Sequence, residues 1–209
     1  MSENRRVRER RRAALIAAAR ELFLERGVEH VTIDEIADRC AVTRRTVYRY
    51  FATRDQVALA VEIDVLQRWS ALLQQRAGAW TGTGAQQLRT AFADIGQLVD
   101  DAADELRFTR VFDAQSISGD DTELGGQYRD VIREVLAPIV AVLRLGQDDG
   151  TLTLAVPPEL TASTLTNAYL GLAQRVYGRG DQLAKEQEID PRLMLVELTR
   201  IYLAGLESA

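Results

Sequence analysis

The sequence predicts an all-α protein: an N-terminal three-helix head containing a helix-turn-helix, followed by a C-terminal helical bundle. Three observations carry that prediction. Apolar residues recur at helical spacing, as at Leu15, Ala19, Leu22 and Phe23. Threonines stand where short helices would begin, at positions 32, 43 and 53. Period-two alternation is nearly absent, the short run Thr151–Val156 excepted, and the prolines are confined to positions 138, 157, 158 and 191.

The first helix is expected near 9–26, closed by Gly27, a residue free to turn the chain out of a helix. Thr32-Ile33-Asp34-Glu35 has the form of a capping box, with Val31 and Ile36 as its hydrophobic staple. Thr43 repeats the cap, stapled by Val42 and Val47, and Thr53-Arg54-Asp55-Gln56 is a second box. These starts predict helices over 33–40, 44–51 and 54–77, the first two joined by Ala41–Thr43 alone. Gly78, Gly82 and Gly84 then mark a break. Helices are expected over 85–103 and 104–116, followed by a loop marked by Ser118, Gly119, Gly125 and Gly126. A helix near 127–146 contains Pro138 and should kink there. After a loop from Gly146 to Pro158, helices over 159–178 and 191–207 follow, the second opening with Asp190 as cap and Pro191 in its first turn.

Composition excludes several function classes. At 46% hydrophobic the chain is too apolar to be disordered. No uncharged apolar run is long enough to span a membrane, and Met1–Arg12, with six arginines, lacks the apolar core of a secretory signal. A cytoplasmic chain without a membrane partner is expected. Cys40 and His30 are the single cysteine and histidine, which excludes an internal disulfide framework, a thiolate or imidazole metal cluster and a second imidazole base. No phosphate-binding glycine loop is present. The pairs Asp100-Asp101, Asp120-Asp121 and Asp148-Asp149 read as solvated ends and loops. No catalytic residue, metal or cofactor is therefore expected. Cys40 reads as a small core residue, with a redox-sensing thiol as the alternative.

The net charge of −5 hides an asymmetry. Residues 1–54 hold 13 arginines and 8 acidic residues, or +5; the remainder holds 12 arginines, one lysine and 23 acidic residues, or −10. A basic head on an acidic body suggests that the head meets phosphates. Arg5, Arg6, Arg8, Arg10, Arg11 and Arg12 form a basic arm broken by Glu9.

Two short helices joined by a three-residue turn are the pattern of a helix-turn-helix. Ile36, Ala37, Val42, Val47 and Phe51 would lock the pair onto the first helix, leaving Arg44, Arg45, Thr46, Tyr48 and Arg49 on the second. Arginine pairs bidentately with guanine, and threonine meets base edges or the thymine methyl. Tyrosine hydroxyls suit phosphate oxygens. An ordinary helical hairpin with a solvated basic face is the bland alternative.

On Gly27, Thr32, Ile36-Ala37, Val42-Thr43 and above all Thr46-Val47-Tyr48-Arg49-Tyr50-Phe51 with Thr53-Arg54-Asp55, the chain resembles the TetR-type bacterial transcription regulators over about residues 10–60. The resemblance implies phosphate contacts from Thr32, Thr43, Tyr48, Tyr50 and Arg54, and base contacts from Arg44, Arg45, Thr46 and Arg49. The arm would follow the minor groove or the backbone. The chain departs from the family pattern at Ala41, where the family usually has glycine, at Arg45, often small there, and at Arg54 in place of lysine. At Ala41 the left-handed conformation would be mildly strained or replaced.

The division expected is a DNA-binding domain over 1–53, arm included, and a ligand-binding and dimerisation domain over 54–209. The last two helices are apolar on more than one face, and Leu165, Tyr169, Leu172, Leu198, Ile201 and Tyr202 are the candidates for a homodimer interface; a fully buried central helix is the alternative. Trp69, Leu73, Phe92, Phe108, Phe112 and Tyr128 are candidate pocket residues, with Arg107, Arg110, Asp113 and Gln115 available to orient a polar group. The expected function is sequence-specific transcriptional regulation. The reading is a repressor that binds a double-stranded operator as a homodimer and is released by a small apolar or amphipathic ligand. One alternative keeps DNA binding under a protein partner or with no small-molecule ligand. Another is a helical enzyme or carrier.

Overall fold

The computed structural model describes residues 3–114 and 122–208; Gln115, Ser118, Gly119 and the Asp120-Asp121 pair lie outside the described residues. Among the described residues the chain is helical and has no strand. The helices are α1 (Glu3–Arg26), α2 (Ile33–Arg39), α3 (Arg44–Tyr48), α4 (Arg54–Ala77), α5 (Gly84–Asp101), α6 (Ala103–Ala114), α7 (Glu123–Asp148), α8 (Pro158–Gln187) and α9 (Pro191–Leu206). A single 3₁₀ turn, Val28–His30, follows α1. Packing divides the chain into two compact units, Met1–Leu66 with Arg107–Asp130 and Gln67–Leu106 with Val131–Ala209. These are units of packing; a division by function is a separate matter.

In the first unit the helix ends lie where the local chemistry puts them. Gly27 takes φ 84° as α1 closes, its amide donating to the Phe23 carbonyl at 2.9 Å. The Thr32 hydroxyl accepts from the Glu35 amide at 3.3 Å, while the Glu35 carboxylate accepts from the Thr32 amide at 2.8 Å. The box at Thr53 closes differently from expectation. Thr53 accepts from the Gln56 amide at 3.1 Å, but Gln56 Oε1 reaches the amide of Ala52 at 2.7 Å. Leu15, Ala19, Phe23, Ile36, Val47 and Phe51 are buried and form the head's core, with Val42 half-buried. Ala41 holds φ 52°, so the left-handed turn survives without a glycine.

One expectation for this unit is corrected. Arg5–Arg12 is not an arm; it forms the opening turns of α1. Arginine is a good helix former, and Arg5 Nε pairs with Glu9 Oε1 one turn on at 2.9 Å. A helix about 10 Å across does not enter a minor groove about 6 Å wide.

The second unit is assembled by contacts distant in sequence. Leu88, Phe92, Leu106, Leu143, Ala162, Tyr169 and Ala173 lie in its core. Gly84, expected in the break before α5, is the first residue of that helix. A Cβ at Gly84 would stand 2.2 Å from both Cα and N of Gly146, so α5 and α7 meet backbone to backbone. The Gly84 amide donates to Asp149 Oδ2 at 2.7 Å and the Ala85 amide to Thr151 Oγ1 at 3.0 Å. Asp149, exposed as expected, also caps α5. Its pKa is lowered, chiefly by the hydrogen bond from the Thr151 hydroxyl. Asp100 is likewise engaged, accepting from the Tyr177 hydroxyl.

Two further boundaries differ from expectation. Gly125 and Gly126 lie in the first turn of α7, not in a loop. α8 continues past 178 to Gln187, interrupted only at Arg179, whose φ −140° and ψ 20° are not helical. The run Thr151–Val156 contributes one isolated bridge, Leu152 to Glu207. Asp190 caps α9 as expected, accepting from the Arg192 amide at 2.9 Å.

Candidate nucleic-acid interface

α3 is held by its two ends. At its start, Thr43 Oγ1 accepts from the Thr46 amide at 3.2 Å and shares a hydrogen bond with Thr46 Oγ1 at 3.0 Å. At its core side, Val47 and Phe51 are buried, and the Arg12 guanidinium lies over the Phe51 ring at 5.4 Å. That arrangement leaves Arg44, Arg45, Tyr48 and Arg49 exposed, with Thr46 and Tyr50 half-buried.

The four arginines called for DNA contact are not equivalent. Arg44 Nη1 pairs with Asp34 Oδ2 at 2.9 Å, Nη2 donates to the Tyr48 hydroxyl at 3.2 Å, and the guanidinium lies 5.4 Å from the Tyr48 ring centre. The Tyr48 hydrogen bond is the largest of the causes that raise its pKa. Arg49 lies over the Tyr50 ring at 5.4 Å. Arg54 donates to the Glu29 carbonyl at 3.3 Å, with Asp55 at 3.8 Å. Arg45 alone of these has a guanidinium without a partner among the described residues. Of these four, it is therefore the side chain that could take a new partner at the smallest cost in broken contacts. Thr32 is exposed, but its hydroxyl is engaged by Glu35.

Ion pairs link α1 to α2. Arg26 Nη2 pairs with Glu35 Oε1 at 2.6 Å, and Arg39 pairs with Glu21 at 3.1 Å and Glu25 at 3.5 Å. The Glu35 carboxyl is held down to about 2, first by the Thr32 backbone hydrogen bond and then by Arg26. Cys40 is half-buried, its thiol donating to the Ala14 carbonyl at 3.5 Å, and burial pushes its pKa up. A thiol in that state is a poor redox nucleophile.

The six candidate pocket residues fall into two groups. Phe108, Phe112 and Tyr128 belong to the first unit, with ring centres 6.3 Å and 6.0 Å apart in succession, and Phe108 stacks on Phe23 at 6.0 Å. Trp69, Leu73 and Phe92 belong to the second, where Phe92 packs on Tyr169 at 6.0 Å and Tyr202 at 5.8 Å. Among the candidate interface residues, Leu165 and Tyr169 are buried in the chain's own core and have little surface left for a second subunit. Leu172, Leu198 and Tyr202 are half-buried, and Ile201 is 52% exposed. Leu193 and Val196 on the same helix, at 60% and 66% exposed, complete an apolar face.

One residue that sequence reasoning missed is Glu62. It is 3% exposed, and its Oε2 has no hydrogen-bond partner. Burial, with Asp113 nearby, pushes its carboxyl up to about 8. Tyr128, under burial and then the charges of Glu62 and Asp113, is raised to about 12. The signal was present: Glu62 sits inside Val57–Leu66, a run apolar except for Glu62 and Asp64, with Ala58, Val65 and Leu66 on its own helical face.

Comparison with known proteins bears on this geometry directly. The model of the family described as bacterial regulatory proteins, tetR family, matches residues 15–61. The HTH-type transcriptional regulator TcmR of Streptomyces glaucescens is 40% identical over 67 residues, which is 32% of this chain and 30% of that protein. The match thus spans less than a third of that relative. Among solved structures, a TetR-family transcriptional regulator from Mesorhizobium loti superposes with a TM-score of 0.69 at 16% identity, over 96% of this chain and 98% of that one. FadR of Thermus thermophilus, a TetR-family repressor in complex with lauroyl-CoA, superposes with a TM-score of 0.64 at 23% identity, over 93% and 94%. At such identities the structural likeness establishes the fold.

Proposed function

We propose that the chain, whose residues 15–61 match the tetR family of bacterial regulatory proteins, is a sequence-specific DNA-binding transcriptional regulator of that family, a homodimeric repressor released by a small ligand. Residues 1–53 read the operator, and residues 54–209 dimerise and sense. The observation that carries the reading is α3, a cap-fixed helix presenting the unpartnered Arg45 among exposed Arg44, Tyr48 and Arg49. Arg45, with Arg44, Thr46 and Arg49, faces base edges; Thr32, Thr43, Tyr48, Tyr50 and Arg54 meet phosphates.

A single short recognition helix binds weakly, so two copies would read half-sites about 34–36 Å apart or a multiple of that. The exposed apolar face of α9 at Leu193, Val196 and Ile201 supports pairing. Ligand control is supported by the lauroyl-CoA bound to the Thermus thermophilus FadR and by the aromatic side chains of α5, α6 and α7 in this chain.

The test begins with a duplex recovered by selection from a random pool, titrated beside a scrambled duplex over a range of salt. The native chain is expected to prefer the selected duplex and to lose affinity steeply as salt rises. Arg45→Ala should lose ~1–3 kcal/mol on the selected duplex alone, and Arg54→Ala should lose equally on both. Failure to recover any duplex, or identical losses for both variants on both duplexes, would overturn the reading.

A further inference from the structure

Glu62 stands apart from the machinery so far described. It lies on α4, is 3% exposed, and carries an oxygen without a hydrogen-bond partner. An unmatched buried polar atom is destabilising, so the fold tolerates a standing penalty there. Among the described residues, the charge that acts on Glu62 is Asp113, of its own sign. Arg12, a half-buried cation of the same unit, is engaged with the Phe51 ring and feels Glu123 and Asp64 instead. Tyr128 lies within electrostatic reach of Glu62, and its ring adjoins Phe112, which adjoins Phe108. A buried carboxyl oxygen still open to a hydrogen bond, within electrostatic reach of Tyr128 at the end of an aromatic row, matches one ligand chemistry. An ammonium group satisfies the oxygen through its N–H and is attracted by the rings, while its apolar body packs on them.

We propose that Glu62 is the charge-recognising residue of a ligand site that takes a protonated amine carried on an apolar body. This deepens, and rests on, the reading of the chain as a ligand-controlled regulator. It also separates this chain from its structural likeness that holds lauroyl-CoA, whose phosphates would be repelled by Asp113 and would gain no opposite charge from a protonated Glu62. Because burial keeps the Glu62 carboxyl protonated near neutral pH, arrival of an ammonium group displaces that proton to solvent.

The experiment uses the full chain at pH 7 and four probes below their micelle concentrations: dodecylamine, dodecanol, dodecanoate and lauroyl-CoA. Binding is followed by calorimetry in two buffers of different ionisation heat, and operator release by anisotropy. Dodecylamine is expected to bind at least tenfold more tightly than dodecanol, with net release of a proton. Glu62→Gln should abolish both the preference and the proton release while leaving dodecanol binding unchanged. Phe112→Leu, a second variant should Glu62→Gln not fold, should weaken dodecylamine several-fold at unchanged proton release. Equal binding of amine and alcohol, tighter binding of either anion, or indifference to Glu62→Gln overturns the inference. Operator release by one of the other probes would then leave ligand control standing. Glu62-dependent amine binding without operator release supports the site and overturns ligand control. No binding by any probe overturns the inference.

Discussion

The head and the second packing unit are built by different means. In the head, helix starts are made by side chains three or four residues away: Thr32 with Glu35, Thr43 with Thr46, and Gln56 with Ala52. In the second unit, α5 has a local box of the same kind, Thr83 with Gln86, but it also begins against residues more than 60 positions distant, with Asp149 and Thr151 on its first amides and Gly146 against its first Cα. Arg89 is tied to Glu207 in the same way, at 2.6 Å. Local capping sets where α2, α3 and α4 begin. The second unit adds long-range fit to its local caps, and that fit fixes where α5 and α7 meet.

The sharpest way to test that contrast is Gly84→Ala. The added Cβ would meet backbone atoms at 2.2 Å that no rotamer change can clear, so a loss on the order of 3 kcal/mol is expected in denaturant unfolding. A loss below about 1 kcal/mol would show that α5 and α7 are not locked at this point. Next in size, Thr32→Ala removes a cap and should cost ~1 kcal/mol, read as helix loss and a lower unfolding midpoint.

The same box has a pH signature. The Glu35 carboxyl is held at about 2 in the folded chain against 4.5 ordinarily, so its contribution is complete above 4.5 and is lost as pH falls toward about 2. The acid limb of the stability profile should therefore be shallower in Glu35→Ala, measured by thermal unfolding from pH 6 to 2.5. An unchanged limb would remove Glu35 from the account of the head. The smallest effect runs the other way. Ala41 sits at φ 52°, where a Cβ is disfavoured, so Ala41→Gly should stabilise the turn by ~0.5–1 kcal/mol.

Legibility followed this division. The starts of α2, α3 and α4 and the closing glycine of α1 were readable because each rests on a hydrogen bond or staple spanning a few residues. Arg44, Arg45, Tyr48 and Arg49 were readable as a polar face, since their buried partners Val47 and Phe51 fall at helical spacing. What pattern did not convey was engagement: that Arg44 is held by Asp34 and Tyr48 while Arg45 is free. Gly84 was legible as a glycine but not as a close approach, because Gly146 lies 62 residues on. Glu62 escaped notice because a charge inside an apolar run reads as amphipathic until its burial is known.

By itself, the sequence determined the helical class, the charge asymmetry and the ends of the head's helices, all of which rest on periodicity, composition or contacts within one turn. Tertiary structure alone decided the rest. It carried α8 past Arg179. It buried Leu165 and Tyr169 in the chain's own core and left Glu62 without a partner. Each of these depends on which distant side chain arrives against which face, a matter of packing that no local signal encodes.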